Sequence, residues 1–170
     1  EEEVDDARFM DVEQARGQLS EWIKEANTIK FIKTKFLKFL KNFQGDANFP
    51  IYSSAIREMC TSNSQSVEIS YDHLKTANPT LAVWVAMEPL LVFPYLNLTA
   101  YRMACKNYPA YENIFPEVFV KIKDMPMKDN IRDLRYTHLN KLIHVSGVIT
   151  KRSIVFSQLK KITYKCARCG

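Results

Sequence analysis

Ile131–Gly170 reads IRDLRYTHLNKLIHVSGVITKRSIVFSQLKKITYKCARCG, and this stretch decides the fold. Ile131, Leu134, Leu139 and Leu142 predict a short helix over 129–142. Ile143, Val145, Gly147 and Ile149 then fall on one face of an alternating run, which predicts a strand. Glycine weakens a strand interior, so Gly147 predicts a bulge or a sharp coil of the kind a small closed barrel needs. Lys151-Arg152-Ser153 predicts a turn. A further strand is expected from about Gln158 to Lys165, with Ile162 and Tyr164 on one face and Lys161, Thr163 and Lys165 on the other. Short strands with basic residues on their faces and loops suit a five-stranded barrel of the oligonucleotide-binding (OB) type.

Working outward, the period-two pattern begins upstream. Val118, Val120 and Ile122 alternate with Phe119, Lys121 and Lys123, and Met125-Pro126 ends that strand. Phe115-Pro116 marks a boundary. Before it the pattern is helical. From Glu13 to Phe43, Ile32, Phe36, Phe39, Leu40 and Phe43 form one stripe, with Lys30, Lys33, Lys38 and Lys41 on the other side. Asn and Thr favour caps over helix interiors, so a break is expected near Asn27-Thr28. Gly45 to Asn48 is a turn, and Pro50 opens a helix running to about Cys60. Val67, Ile69 and Tyr71 predict a short extended piece. Helix resumes at Pro79 and again at Pro89, is kinked at Pro94, and continues to about Asn107. This last part is the most apolar and is the expected bundle centre, holding Trp84, Phe93 and Tyr101. The fold class is therefore α+β. An acidic lead-in (1–13) precedes a helical bundle (14–115), the first part of an OB barrel (116–165), and a Cys pair (166–170).

Composition narrows the function. Residues 1–13 hold seven acids against one base, leaving 12 acids and 23 bases in residues 14–170. A basic body with an acidic tail points to nucleic acid or an acidic partner; the bland alternative is a solvated basic surface. The bases concentrate late. Between Lys121 and Arg168 there are twelve, opposed by Asp124, Asp129 and Asp133 alone. With Phe156 and Tyr164 nearby, such bases suit a groove that tracks a phosphate backbone and stacks bases on rings. Lys151, Arg152, Lys160 and Lys161 are the candidate DNA-binding residues. No run of 18 apolar residues predicts a membrane span, and the acidic start is the wrong chemistry for a signal peptide. Four irregularly spaced cysteines do not make a disulfide scaffold and suit a reducing compartment. Asn97-Leu98-Thr99 matches a glycosylation acceptor only by chance, inside an expected helix.

Cys166-Ala167-Arg168-Cys169-Gly170 carries the other chemistry. Two intervening residues let both thiolates of Cys166 and Cys169 reach one tetrahedral zinc ion, and a following Gly suits the tight turn. Zinc needs four ligands, so the pair is half a site; His73, His138 and His144 are scattered and expected to be structural. A redox pair would need a helix start in a βαβ setting, and the third reading is a pair of plain thiols. Cys60 and Cys105 are expected to be small buried hydrophobes. No phosphate-binding glycine loop, paired carboxylates or nucleophile with a base is visible, so the chain reads as a non-catalytic binding and assembly module.

Taken together these residues resemble the amino-terminal region of the minichromosome maintenance (MCM) family of replicative helicase subunits. The carrying residues are Val120-Lys121-Ile122 before Pro126, Ile131-Arg132-Asp133-Leu134-Arg135, His138 to Leu142, Val145 to Thr150, Gln158-Leu159-Lys160, and Tyr164-Lys165-Cys166 with Cys169. Upstream, Ile56 to Cys60, Val67 to Tyr71 and Tyr108 to Tyr111 look most like subunit two of the eukaryotic ring. The resemblance implies a helical bundle outside an OB barrel, a zinc ribbon with two Cys pairs, and a six-subunit ring that encircles DNA. It implies further subunits and replication-initiation proteins as partners, a nuclear location, and ATP with magnesium in a carboxy-terminal AAA+ domain that this chain lacks. In the family, bases where Lys151 and Arg152 stand can contact DNA. The alternatives are a protein-interaction scaffold without direct DNA binding, and an unrelated OB and zinc-ribbon nucleic-acid-binding protein.

Overall fold

The structure is a computed structural model that describes residues 19–44, 49–157, 159 and 162–169. The expected acidic lead-in and the Gly45–Asn48 turn lie outside the described residues. Among the described residues the α-helices are α1 (Leu19–Trp22), α2 (Ala26–Asn42), α3 (Ile51–Thr61), α4 (Tyr71–Ala77), α5 (Pro79–Met87) and α6 (Pro89–Asn107). Strand β1 (Ser66–Ser70) sits between α3 and α4, and β2 (Phe119–Lys123) follows a 3-10 turn at Pro109–Asn113.

The α2 stripe is real. Phe31, Ile32, Phe36, Phe39 and Leu40 are buried, and Phe43 packs against the core at the helix end. The break, however, falls at Ile23–Glu25, and Thr28 is fully buried inside α2. Asn27 and Thr28 do mark a helix terminus, but as its first turn. Tyr71, expected in the extended piece, instead begins α4 and donates its hydroxyl to the Ala82 carbonyl at 3.3 Å. Asp72 in the first turn and Lys75 in the last complement the dipole of that short helix. Asn78 caps α5, accepting the Leu81 N–H at 3.2 Å, with Pro79 at the first helical position where its missing N–H is harmless. α5 is apolar nearly all round, and Leu81, Ala82, Trp84 and Val85 are buried. Trp84 is the centre of the core. Its ring meets Trp22 edge-on at 5.5 Å and Phe31 at 5.8 Å. α6 runs through Pro94 and buries Val92, Leu96, Thr99, Ala100, Met103 and Ala104.

β1 and β2 pair in parallel, Ser66 opposite Phe119 through Ser70 opposite Lys123. The alternation expected for 118–123 holds: Val118 and Val120 are buried and Ile122 packs against the core. By its pairing β2 belongs to the sheet of the helical unit. Two long-range polar contacts fix that ribbon. Asn97 on α6 accepts the Val120 N–H at 2.8 Å, and the Tyr111 hydroxyl donates to the Ser64 carbonyl at 2.7 Å.

Downstream, the structure departs from the expected elements. The 129–142 segment is not a helix but two 3-10 turns, Ile131–Asp133 and Tyr136–His138. The 143–149 strand shrinks to β4 (His144–Val145), which pairs in parallel with β3 (Lys128–Asp129). Of the expected 158–165 strand, the described residues Leu159 and Ile162–Lys165 carry no regular structure. Gly147 lies on irregular backbone and not in a strand bulge; a Cβ there would meet only the tip of the exposed Ile131 side chain, at 2.8 Å, which can swing aside. The physical reason is common to the two strands. A strand needs a partner to satisfy its N–H and C=O groups, and an isolated apolar alternation has none. Leu142 anchors the segment to the bundle: its N–H donates to the Ala86 carbonyl at 2.8 Å.

Candidate nucleic-acid and metal interface

Lys151 and Arg152 are exposed and lie on irregular backbone just past the last anchored residues. Lys160 and Lys161 lie outside the described residues. Around Lys151 and Arg152 the chain displays apolar residues to solvent: Val148, Ile149, Ile154, Val155 (94% exposed), Phe156 (74%), Leu159 and Tyr164. Among the described residues, none beyond Val120 belongs to the buried core. Burying an exposed apolar patch of this size against another surface would be favourable.

Cys166 and Cys169 are both exposed, and the residues between them form a turn. That turn aims donors at the first sulfur. The Arg168 backbone N–H, then the Cys169 thiol and the Cys169 backbone N–H, hold the Cys166 thiol below its usual range. Donors aimed at a sulfur favour the thiolate, the form that binds metal. Among the described residues no group of three or more His, Cys, Asp or Glu side chains comes together. The pair thus fits two corners of a tetrahedral zinc site. The buried thiol behaves oppositely. Desolvation, followed by the nearby Cys105, pushes the Cys60 thiol up.

The three histidines are engaged elsewhere. His73 shares a 2.8 Å hydrogen bond between its Nδ1 and the Tyr52 hydroxyl and stacks on Phe43 at 4.7 Å. Nδ1 of His138 accepts the Arg135 N–H at 3.1 Å, and that of His144 lies 2.9 Å from the Met125 carbonyl oxygen. Each orders local backbone or packing.

One basic site escapes the sequence reading. α2 and α6 flank a groove of about 320 Å³ with Lys33, Lys41, Arg102 and Lys106 among its lining residues. The signal was present on both helices, Lys33 with Lys41 and Arg102 with Lys106 at helical spacings, but nothing in the sequence says that the two helices pack side by side.

A helical domain with a parallel two-stranded ribbon, followed by a basic and mostly irregular segment, is the class the described residues define. Residues 33–124 match the family model for the MCM N-terminal domain and residues 130–170 that for the MCM OB domain, and the chain belongs to the MCM family. It is 35% identical over 176 residues to the DNA replication licensing factor MCM2 of Oryza sativa subsp. indica, covering 100% of this chain and 18% of that protein. It is 34% identical over 152 residues to the DNA replication licensing factor mcm2 of Schizosaccharomyces pombe, covering 89% and 18%. Against the Drosophila melanogaster protein of that name it is 30% identical over 173 residues, covering 99% and 20%. The chain spans about a fifth of the length of these relatives.

Proposed function

We propose that this chain is a non-catalytic amino-terminal portion of a DNA replication licensing factor, a subunit of a replicative helicase. In this reading it acts in the nucleus within a hetero-hexameric ring of MCM subunits, where replication-initiation proteins meet it. The helical domain is the rigid support. The segment from Lys128 onward carries the bases to DNA. The observation that carries the reading is one coincidence: the stretch matching the MCM OB domain is the stretch holding the excess of bases and the unpartnered apolar residues.

Within it, Lys151, Arg152, Lys160 and Lys161 contact the phosphate backbone, and the exposed apolar run packs against further OB strands or a neighbouring subunit. Cys166 and Cys169 supply half of a zinc ribbon, and zinc bound there would cross-link the ribbon's two ends. ATP and magnesium chemistry belongs to a carboxy-terminal AAA+ domain of the family.

Fluorescence anisotropy with a labelled single strand tests the DNA contact. Phosphate contacts release counterions, so affinity should fall steeply as salt rises. It should disappear when Lys151, Arg152, Lys160 and Lys161 are changed to Glu. Affinity that ignores salt, or that survives the four substitutions, would remove DNA contact from these residues and leave the scaffold reading, which the exposed apolar run favours. For the metal, the chain purified with zinc should release it on treatment with a thiol reagent, and a Cys166→Ser/Cys169→Ser variant should retain none.

A further inference from the structure

The groove between α2 and α6 stands apart from the OB segment and has no role in the reading above. Lys33, Thr34, Leu37 and Lys41 line it from α2; Thr99, Arg102, Met103, Lys106 and Asn107 line it from α6. Four of these side chains are cationic and none is acidic. Among the described residues, none of the four has a carboxylate within ion-pair range; Lys33 lies over the Tyr95 ring, 5.3 Å from its centre. The groove is thus a concentrated positive patch with an apolar floor at Leu37 and Met103.

Its occupant must be acidic and carry apolar side chains. The amino-terminal residues of this chain have that composition. Glu1, Glu2, Glu3, Asp5, Asp6, Asp11 and Glu13 are interleaved with Val4, Phe9, Met10 and Val12. A nucleic-acid strand fits less well, because no aromatic ring lines the groove for a base to stack on, and Leu37 and Met103 would face phosphates. Reach is no obstacle. The eighteen residues before Leu19 span up to about 60 Å when extended, and α2, at 1.5 Å per residue, is about 25 Å long. α1 is held near the start of α2, because Trp22 and Phe31 both pack on Trp84. Tethering so close raises the local concentration of the acidic stretch to the order of millimolar, so even a weak groove is filled.

We propose that residues 1–13 seat in the α2/α6 groove, their carboxylates on Lys33, Lys41, Arg102 and Lys106. The groove then is an intramolecular site for an acidic peptide, covered until a stronger polyanion or acidic partner displaces it.

Zero-length carbodiimide cross-linking of the full chain, mapped by mass spectrometry, tests this. At low salt, carboxylates of residues 1–13 should link to Lys33, Lys41 and Lys106 about tenfold more than to Lys30 and Lys75, and the preference should vanish in high salt as screening shortens to a few ångströms. R102E/K106E changes two exposed residues, so the fold is retained. It should cut the links to Lys33 and Lys41 about tenfold, by losing more than 1 kcal/mol of attraction. Changing Glu1, Glu2, Glu3, Asp5 and Asp6 to Gln and Asn should cut the remaining links from Asp11 and Glu13 to the same lysines. Links spread evenly over the exposed lysines, or unaltered by R102E/K106E, overturn the proposal. A labelled single strand provides the opposing arm: if R102E/K106E abolishes its binding while the cross-links persist, the groove belongs to nucleic acid and the proposal fails.

Discussion

The two halves of this chain have similar hydrophobic alternation and opposite fates. Val118, Val120 and Ile122 form a strand because β1 lies beside them and α6 behind them, with Asn97 taking the Val120 N–H. Ile143, Val145, Gly147 and Ile149 carry the same pattern, and only His144–Val145 are strand. The difference is the neighbour. A period-two run states which face a strand would bury; the partner decides whether the strand exists. The helical half contains its own partners, and the OB half presents apolar residues that await them.

The sharpest way to break this contrast is to remove one large side chain from each half. Trp84→Ala empties a fully buried site between Trp22 and Phe31 and should cost about 3–5 kcal/mol, whereas Phe156→Ala should change stability by less than about 0.5 kcal/mol, both read from urea unfolding. A comparable loss from Phe156→Ala would mean that the OB segment has a core of its own. Thiol chemistry compares the halves next. Cys166 is exposed with its thiol held low by the Arg168 N–H and by Cys169, and Cys60 is buried with its thiol pushed up by desolvation. Iodoacetamide at neutral pH should therefore modify Cys166 at least about tenfold faster. The reaction of Cys166 should also reach its plateau at lower pH. Equal rates would show that the bundle opens as readily as the tail.

Asn97→Ala leaves the Val120 N–H without its acceptor and should cost about 1–3 kcal/mol. Amide exchange should show the loss concentrated on β2, while the amides of residues 148–157 stay fast in both proteins. The smallest effect sharpens the picture of the bundle itself. Thr28 Oγ1 and Trp84 Nε1 are buried and find no hydrogen-bond partner among the described residues. Thr28→Val keeps the shape and removes an unsatisfied hydroxyl, so it should be neutral or stabilising by up to about 1 kcal/mol. A clear destabilisation would reveal a hidden partner for that hydroxyl.

The helical half was legible because its signals are local. The stripe from Ile32 to Phe43 and the prolines at helix starts all act within one or two turns. Even the misplaced break near Asn27 followed a correct preference, shifted to the neighbouring helix end. α4 was missed because Tyr71 continues the alternation of β1, and its burial against α5 outweighs that local pattern. The parallel pairing of β1 with β2 is a long-range property that no local signal carries. The candidate bases were legible as a count but not as a surface. Lys151 and Arg152 have no regular element to aim them, and the α2/α6 groove needed the helix packing before its four cations could be seen together. That Cys166 and Cys169 share one turn was legible, because two intervening residues need only the turn.

The parallel ribbon has a consequence for the order of assembly. Ser66 and its partner Phe119 are 53 positions apart in the chain. Closing a loop of that length costs about 3.5 kcal/mol of chain entropy beyond a constant, and the strands return nothing until they meet. The helices between them must therefore condense first and carry β2 to β1. On a ribosome adding about 5–20 residues per second, β1 is made several seconds before its partner. Throughout that interval the edge of β1 that β2 will occupy is open, with α3 and α4 packed beside the strand, which makes this short strand a point at which the nascent chain is exposed to mispairing.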